Sequence, residues 1–208
     1  SKGIESLIIE RDYPGVEIIP QRRKMGIRAS SSCELKLKDV PVPTENRIGS
    51  AGEGFGMTLQ VLDAGRVVIA AQGVGIAQAA LETSISYARQ RQTFGKPIAD
   101  HHAIQLKLAD MATKIQAARL LVYDAATKKD TGQRVDLESG MAKLFASEVC
   151  LEVSMEAMRV HGGYGYIKES PVERYYRDAP LMIIGEGTNE VMRLVIAKQL
   201  LRMPEYQL

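Results

Sequence analysis

The 208-residue sequence has no strong excess of charge of either sign: 27 Lys and Arg stand against 25 Asp and Glu, a net charge of +2. A surface built to hold nucleic acid usually shows a basic surplus, so nucleic acid is not the default partner. No uninterrupted apolar run approaches the roughly 20 residues that span a bilayer, and no membrane span is expected. The opening stretch SKGIESLIIERDYPG has the layout of neither a secretion signal nor a transit peptide. It begins on a strand-like run without an initiator Met, so further sequence upstream is expected. Only two cysteines occur, Cys33 and Cys150, far apart and in no CxxC pair. Free thiols in a reducing compartment are expected, as small packed side chains rather than nucleophiles. The three histidines, His101, His102 and His161, show no ExxH or HExxH spacing, so no metal site is expected.

The composition is ordinary for a globular chain, 45% hydrophobic and 25% charged. This length holds one large domain, or one domain and part of another. Residues 1–50 carry strand signals, "SLIIE" and "CELKLKDVPV", interrupted by Tyr13-Pro14-Gly15, Pro20 and the Pro41/Pro43 pair. In ELKLKD, Leu35 and Leu37 share one face and Glu34, Lys36 and Lys38 the other, the pattern of a half-buried strand. The Gly-rich stretch GSAGEGFG, residues 49–56, lacks GxGxxG spacing and reads as a loop.

From Met57 the character changes. No proline occurs up to about Arg91, and the segment is apolar over most of its circumference, predicting a helix buried on several sides. A second helix is predicted from about Ala99 to Lys129, its seam marked by Ile104, Leu108, Met111, Ile115, Ala118 and Val122. A third is predicted from near Asp136 to Val160, with Leu137, Met141, Leu144, Leu151, Met155 and Met158 on one stripe. A short piece over Pro171–Arg177 and a last helix from about Asn189 to Met203 complete the set. The fold class expected is mainly α: an antiparallel up-down four-helix bundle, residues 51–208, preceded by a partial antiparallel β-barrel domain, residues 1–50.

The stretch APLMIIGEGTNEVMRLV, residues 179–195, raises a chemical question. A strand-like apolar run ends in Gly185-Glu186-Gly187-Thr188, and Thr188 or Asn189 is a natural cap for the helix that follows. A carboxylate there can compensate the helix dipole. It can also be a base in an apolar setting, though the dipole role is the commoner one for such a carboxylate. The residues alone leave both readings open.

Three segments carry a resemblance: YARQRQTFGKPIADHHAIQLKLADMATKIQAARLLVYDAA, AKLFASEVCLEVSMEAMRVHGGYGYIKESPVERYYRDA, and GEGTNEVMRLVIAKQLL. Together with GIRASSSCELKLKDVPVPTENRIGSAGEGFGMTLQVLDAGR they resemble the carboxyl-terminal half of the acyl-CoA dehydrogenase family, collinearly over essentially the whole chain. That family has an amino-terminal helical domain, a middle β-barrel and a carboxyl-terminal bundle, and only the end of the barrel and the bundle have counterparts here. The resemblance implies FAD as cofactor, an acyl-CoA thioester as substrate, and Glu186 as the base that takes the α proton while the Cβ hydride leaves for the flavin.

It also implies that Asp63, Ala64, Gly65, Arg66 and Gly187 line the substrate pocket. Some members carry the base just before the arginine of a D-x-E-R segment; here that position is Gly65, which leaves Glu186. Arg91, Thr93 and Phe94 match the R-x-x-F-G turn that meets the flavin of a neighbouring subunit. Arg159, Val160, His161, Gly162 and Gly163 match a glycine turn that approaches FAD from the dimer partner, with His161 structural. Thr188, Asn189 and Glu190 open a helix whose free N–H groups face FAD. Three positions depart from the family pattern. His102 replaces a flavin-facing glutamine, Arg159 stands where glutamine is frequent, and Gly185 replaces a tyrosine, opening room for branched, cyclic or longer acyl groups. Expected partners are an electron-transferring flavoprotein and a second copy, as homodimer or homotetramer. The expected compartment is bacterial cytoplasm or mitochondrial matrix, not the secretory route. An acyl-CoA oxidase and a non-catalytic dimerising bundle are the alternatives.

Overall fold

The computed structural model describes residues 3–21 and 23–203, and the chain divides into two compact units, residues 1–62 and 63–208. Among the described residues the first unit holds four short strands, β1 (Ser6–Leu7), β2 (Val16–Gln21), β3 (Ser32–Leu37) and β4 (Arg47–Ile48). β1 pairs antiparallel with β4, and β2 with β3, where Ile18 faces Leu35 and Pro20 faces Cys33. Pro20, read above as an interruption, lies inside β2. In a two-stranded ribbon each strand keeps an open edge, where a missing N–H can face outward. Leu35 and Leu37 are not half-buried but exposed at 54% and 49%, because a lone ribbon offers little to bury them against.

Helix α1 spans Gly54–Gln90. By length and composition it would pass for a membrane span, with a mean hydropathy of 1.3 over its most apolar window, which the sequence reading did not anticipate. Only one stripe of it is buried, through Ala70, Gly73, Val74, Ala77, Ala80, Leu81, Ser84 and Ala88, while Val68 stays 66% exposed. Burial on several sides is therefore corrected to burial on one, since neighbouring helices cover only that face.

A tight hairpin of β5 (Gln92–Thr93) and β6 (Lys96–Pro97) leads from α1 into α2 (His102–Asp130). Then follow α3 (Asp136–His161), α4 (Val172–Ile184) and α5 (Asn189–Leu200). The bundle thus has a fifth helix: the short piece and the strand-like run form one continuous α4. Its buried residues Val172, Ala179 and Met182 recur at helical spacing, and that stripe holds the helix together across Pro180, which lacks an amide donor.

The core combines the α1 stripe with Met111, Ile115, Ala118 and Val122 of α2, as the seam predicted, and with Ala142, Ala146, Val149, Val153 and Ala157 of α3. On α3 the expected stripe is displaced: of its six members only Leu137 is buried, and the methionines lie at the margins. α3 is wedged between several helices, so its deepest face must be small. A Cβ added to Gly73 of α1 would stand only 3.3 Å from the Ala146 carbonyl. Truncating Met111, 2% exposed, to Ala would cost about 2–5 kcal/mol.

Candidate active site

The turn between α4 and α5 carries Glu186 in the left-handed region, φ +54, followed by Gly187 at φ +89. An L residue held there costs on the order of 1–3 kcal/mol, so the surroundings must impose it. Thr188 caps α5, its hydroxyl accepting the Val191 amide at 3.4 Å. The Glu186 side chain lies directly against α1: a Cβ built on Gly65 would stand 2.9 Å from Glu186 Cδ and closer still to Oε2. The glycine of the D-x-x-R segment therefore makes room for the acid of the turn.

One residue on, Arg66 is buried and pairs with Asp63 at 2.7 Å, and its Nε has no partner among the described residues. Burial, then the charge of Asp136, pushes the Asp63 carboxyl up against the pull of Arg66. Burial also opposes ionisation of Asp136, but Arg134 overcomes it and holds that carboxyl low. Asn189 is buried; its Oδ1 accepts from Lys143 at 2.8 Å and from Ser147 at 3.1 Å, and its Nδ2 is unpartnered among the described residues. Glu190 is exposed, its carboxyl held low by its own backbone N–H and the Thr188 hydroxyl. These contacts gather Asp63, Ala64, Gly65, Arg66, Glu186, Gly187, Thr188, Asn189 and Glu190 at one end of the bundle. Lys143 and Ser147 were missed by the sequence reading, although a lysine and a serine one helical turn apart on an otherwise apolar face were a visible signal.

Of the other predicted residues, Arg91, Thr93, Arg159, Val160, His161, Gly162 and Gly163 line a cavity of about 710 Å³. Tyr87, His101 and Tyr164, not predicted as site residues, belong to the lining too, as do Ile98, Ile104 and Ile167. Gly162 ends α3 at φ +59 and ψ −135, a conformation open only to glycine in practice. His161 is buried, stacked on Tyr87 with ring centroids 4.3 Å apart, and its Nδ1–H donates to the Ala157 carbonyl at 2.8 Å. Burial pulls its pKa down, and the hydrogen bond to the Ala157 carbonyl works the other way. Arg91 lies over the Tyr164 ring at 5.7 Å, and Arg159 pairs with Glu156.

Phe94 and Gly95 form the two-residue turn of the β5–β6 hairpin, at φ +51 and +78, as a primed turn demands. Phe94 is 97% exposed, edge-on to His101. His102 is exposed and outside the lining; its neighbour His101 stands there instead, 3.0 Å from Thr93 Oγ1. The cavity and the acid turn lie towards opposite ends of α3: the 18 steps from Lys143 to His161 span about 27 Å at helical rise.

This arrangement defines a class, a helical bundle domain with a polar seat at each end. The carboxyl-terminal domain family of acyl-CoA dehydrogenases matches residues 52–201, and the chain belongs to the acyl-CoA dehydrogenase family. A probable acyl-CoA dehydrogenase of Bacillus subtilis is 51% identical over 96% of this chain and 52% of its own length. The caffeyl-CoA reductase–Etf complex subunit CarC of Acetobacterium woodii is 45% identical over 97% of this chain and 53% of its own. The solved butyryl-CoA dehydrogenase of Megasphaera elsdenii superposes with a TM-score of 0.94 at 46% identity, covering 97% of this chain and 52% of that one. The chain thus spans about half the length of the curated relatives it matches.

Proposed function

We propose that this protein works as an FAD-dependent acyl-CoA dehydrogenase, converting an acyl-CoA thioester to the trans-2-enoyl-CoA with Glu186 as the base. The observation that carries the reading is the placement of the Glu186 carboxylate over side-chain-free Gly65, in a strained turn capped by Thr188. Strain of this kind collects at working sites. Arg66 Nε, buried and unpartnered among the described residues, is a donor suited to a polar ligand atom in that seat.

The residues fit FAD. Arg91 and Arg159 offer guanidinium groups for a pyrophosphate, Gly162 and Gly163 let backbone approach closely, and Thr188 and Asn189 open a helix whose amino-end dipole favours an anion. Asn189 Nδ2, buried without a partner among the described residues, is a further donor. When bound, FAD supplies the acceptor for the hydride that leaves Cβ. Glu186 accepts the α proton, so the substrate loses one proton and one hydride and gains a C=C bond. The backbone N–H of Glu186 donates to the thioester oxygen where enolate charge develops.

About 27 Å of α3 separates the two seats within one chain. This favours a homodimer or homotetramer in which each flavin draws on the Arg91 end of one copy and the Thr188 end of another. Exposed Phe94, Leu106 and Leu194 support such an assembly. Residues 1–50 serve as the end of the middle β-domain. Electrons leave through an electron-transferring flavoprotein, in the bacterial cytoplasm or mitochondrial matrix. The relative described as a reductase subunit supports testing the reverse direction too, with protonated Glu186 returning the proton.

The test is Glu186→Gln in the FAD-loaded holoenzyme. Flavin absorbance should persist while turnover falls by roughly 10²–10⁴, the usual worth of a general base. Retained turnover would overturn the assignment.

A further inference from the structure

We infer that Lys143 is a positioning residue for the acid turn: its ammonium group locks the backbone that presents Glu186, and turnover depends on that lock. The inference rests on the reading of Glu186 as the base. Lys143 is fully buried on α3, where an unpaired cation would be strongly disfavoured. All three of its N–H donors are used, to the Ile183 carbonyl at 2.9 Å, the Gly187 carbonyl at 2.7 Å and Asn189 Oδ1 at 2.8 Å.

These acceptors bracket Glu186 on both sides: the last turn of α4, the residue after the acid, and the first residue of α5. One group therefore ties two backbone carbonyls and the Asn189 side chain, which flank the residue held at φ +54. Ser147, one turn along α3, donates to the same Asn189 Oδ1 at 3.1 Å and fixes that amide.

The charges facing Lys143 are Arg66 from α1, Glu186 from the turn and Glu190 from α5; α4 presents the Ile183 carbonyl. Burial dominates, reinforced by Arg66 and opposed by the two carboxylates, and brings the ammonium down to about 8. Above that pH a neutral amine keeps two donors and turns a lone pair towards one of three oxygens, so the lock opens.

The experiment compares steady-state and single-turnover kinetics of the FAD-loaded holoenzyme from about pH 6 to about pH 10, bracketing the shifted lysine and its ordinary value. The proteins are the parent, Lys143→Met, Lys143→Arg and Glu186→Gln. In the parent, kcat falls on an alkaline limb near pH 8. Lys143→Met keeps flavin and a KM within about threefold, while kcat drops about ten- to hundredfold, the loss expected from a misplaced catalytic group. In Lys143→Arg the alkaline limb disappears, because a guanidinium does not lose its proton in this range. Parental kcat in a folded Lys143→Met, an unchanged alkaline limb in Lys143→Arg, or a parent profile flat above neutrality would each overturn the inference. The parent profile decides even if a variant fails to fold. Turnover by Glu186→Gln sinks the base assignment instead, so the two failures are distinguishable.

Discussion

At the Glu186 end the polar groups are buried and cross-linked: Arg66 with Asp63, Lys143 with two carbonyls and Asn189, Ser147 with the same amide. At the Arg91 end they are open to solvent, with Arg91 and Arg159 exposed, Phe94 bare, and a wide cavity between them. On the proposed reading, the first end is ordered ahead of any ligand, as a proton transfer to a fixed atom requires, and the second is an open cradle for a large anionic group. One bundle thus holds a buried, cross-linked end and an open end, joined by the small-residue spine of α3.

The comparison breaks most sharply if one end can be damaged without the expected symptom. Glu186→Gln should abolish most turnover with flavin retained, whereas Arg91→Ala should cost flavin first, weakening it by about 1.5–3 kcal/mol, the worth of a charge-assisted bond, measurable by titration of apoprotein. If Arg91→Ala leaves flavin affinity unchanged, the cradle is misassigned.

Gly65→Ala comes next in size. The added Cβ would push against Glu186 Cδ, and kcat should fall about tenfold or more. Alanine is the better helix former by roughly 1 kcal/mol, so the melting temperature should hold or rise. Loss of stability together with activity would show that Gly65 serves packing rather than the acid.

Smaller effects belong to the open end. Burial works against ionisation of Glu156, yet Lys107 and Arg159 hold its carboxyl low. A depressed carboxylate contributes stability above its unfolded value, about 4.3, and loses it as pH falls through the folded one. Glu156→Gln should therefore cost less than about 1 kcal/mol at neutral pH, with parent and variant melts converging as pH falls through the depressed carboxyl's range. Smallest of all is a labelling contrast. Cys33 is exposed, while burial pushes Cys150 up to about 12. A thiol reagent near pH 8 should modify the first and spare the second, as peptide mass mapping would report.

Sequence patterning made much of this molecule legible, and its failures have causes. The α2 seam was readable because its large apolar residues are also the buried ones. On α3 the same logic chose the methionines, since periodicity weighs size, whereas close packing selected Ala142, Ala146 and Ala157 for the interior. α4 reads as two pieces because Pro180 looks like punctuation, while the burial of Met182 that carries the helix past it is a tertiary effect. Glu186 stood out through its glycines. Lys143 did not, because a lysine in a sequence reads as surface until three acceptors are found around its nitrogen.

The length of α3 has a genetic corollary. If neighbouring copies share each flavin, a chain broken at Glu186 and a chain broken at Arg91 carry lesions that fall into the same seat or into different seats according to how they pair. A mixed dimer would then contain one wholly intact centre and one doubly damaged centre. Two alleles, each inactive by itself, would restore measurable turnover when expressed together, whereas two lesions at the same end would not.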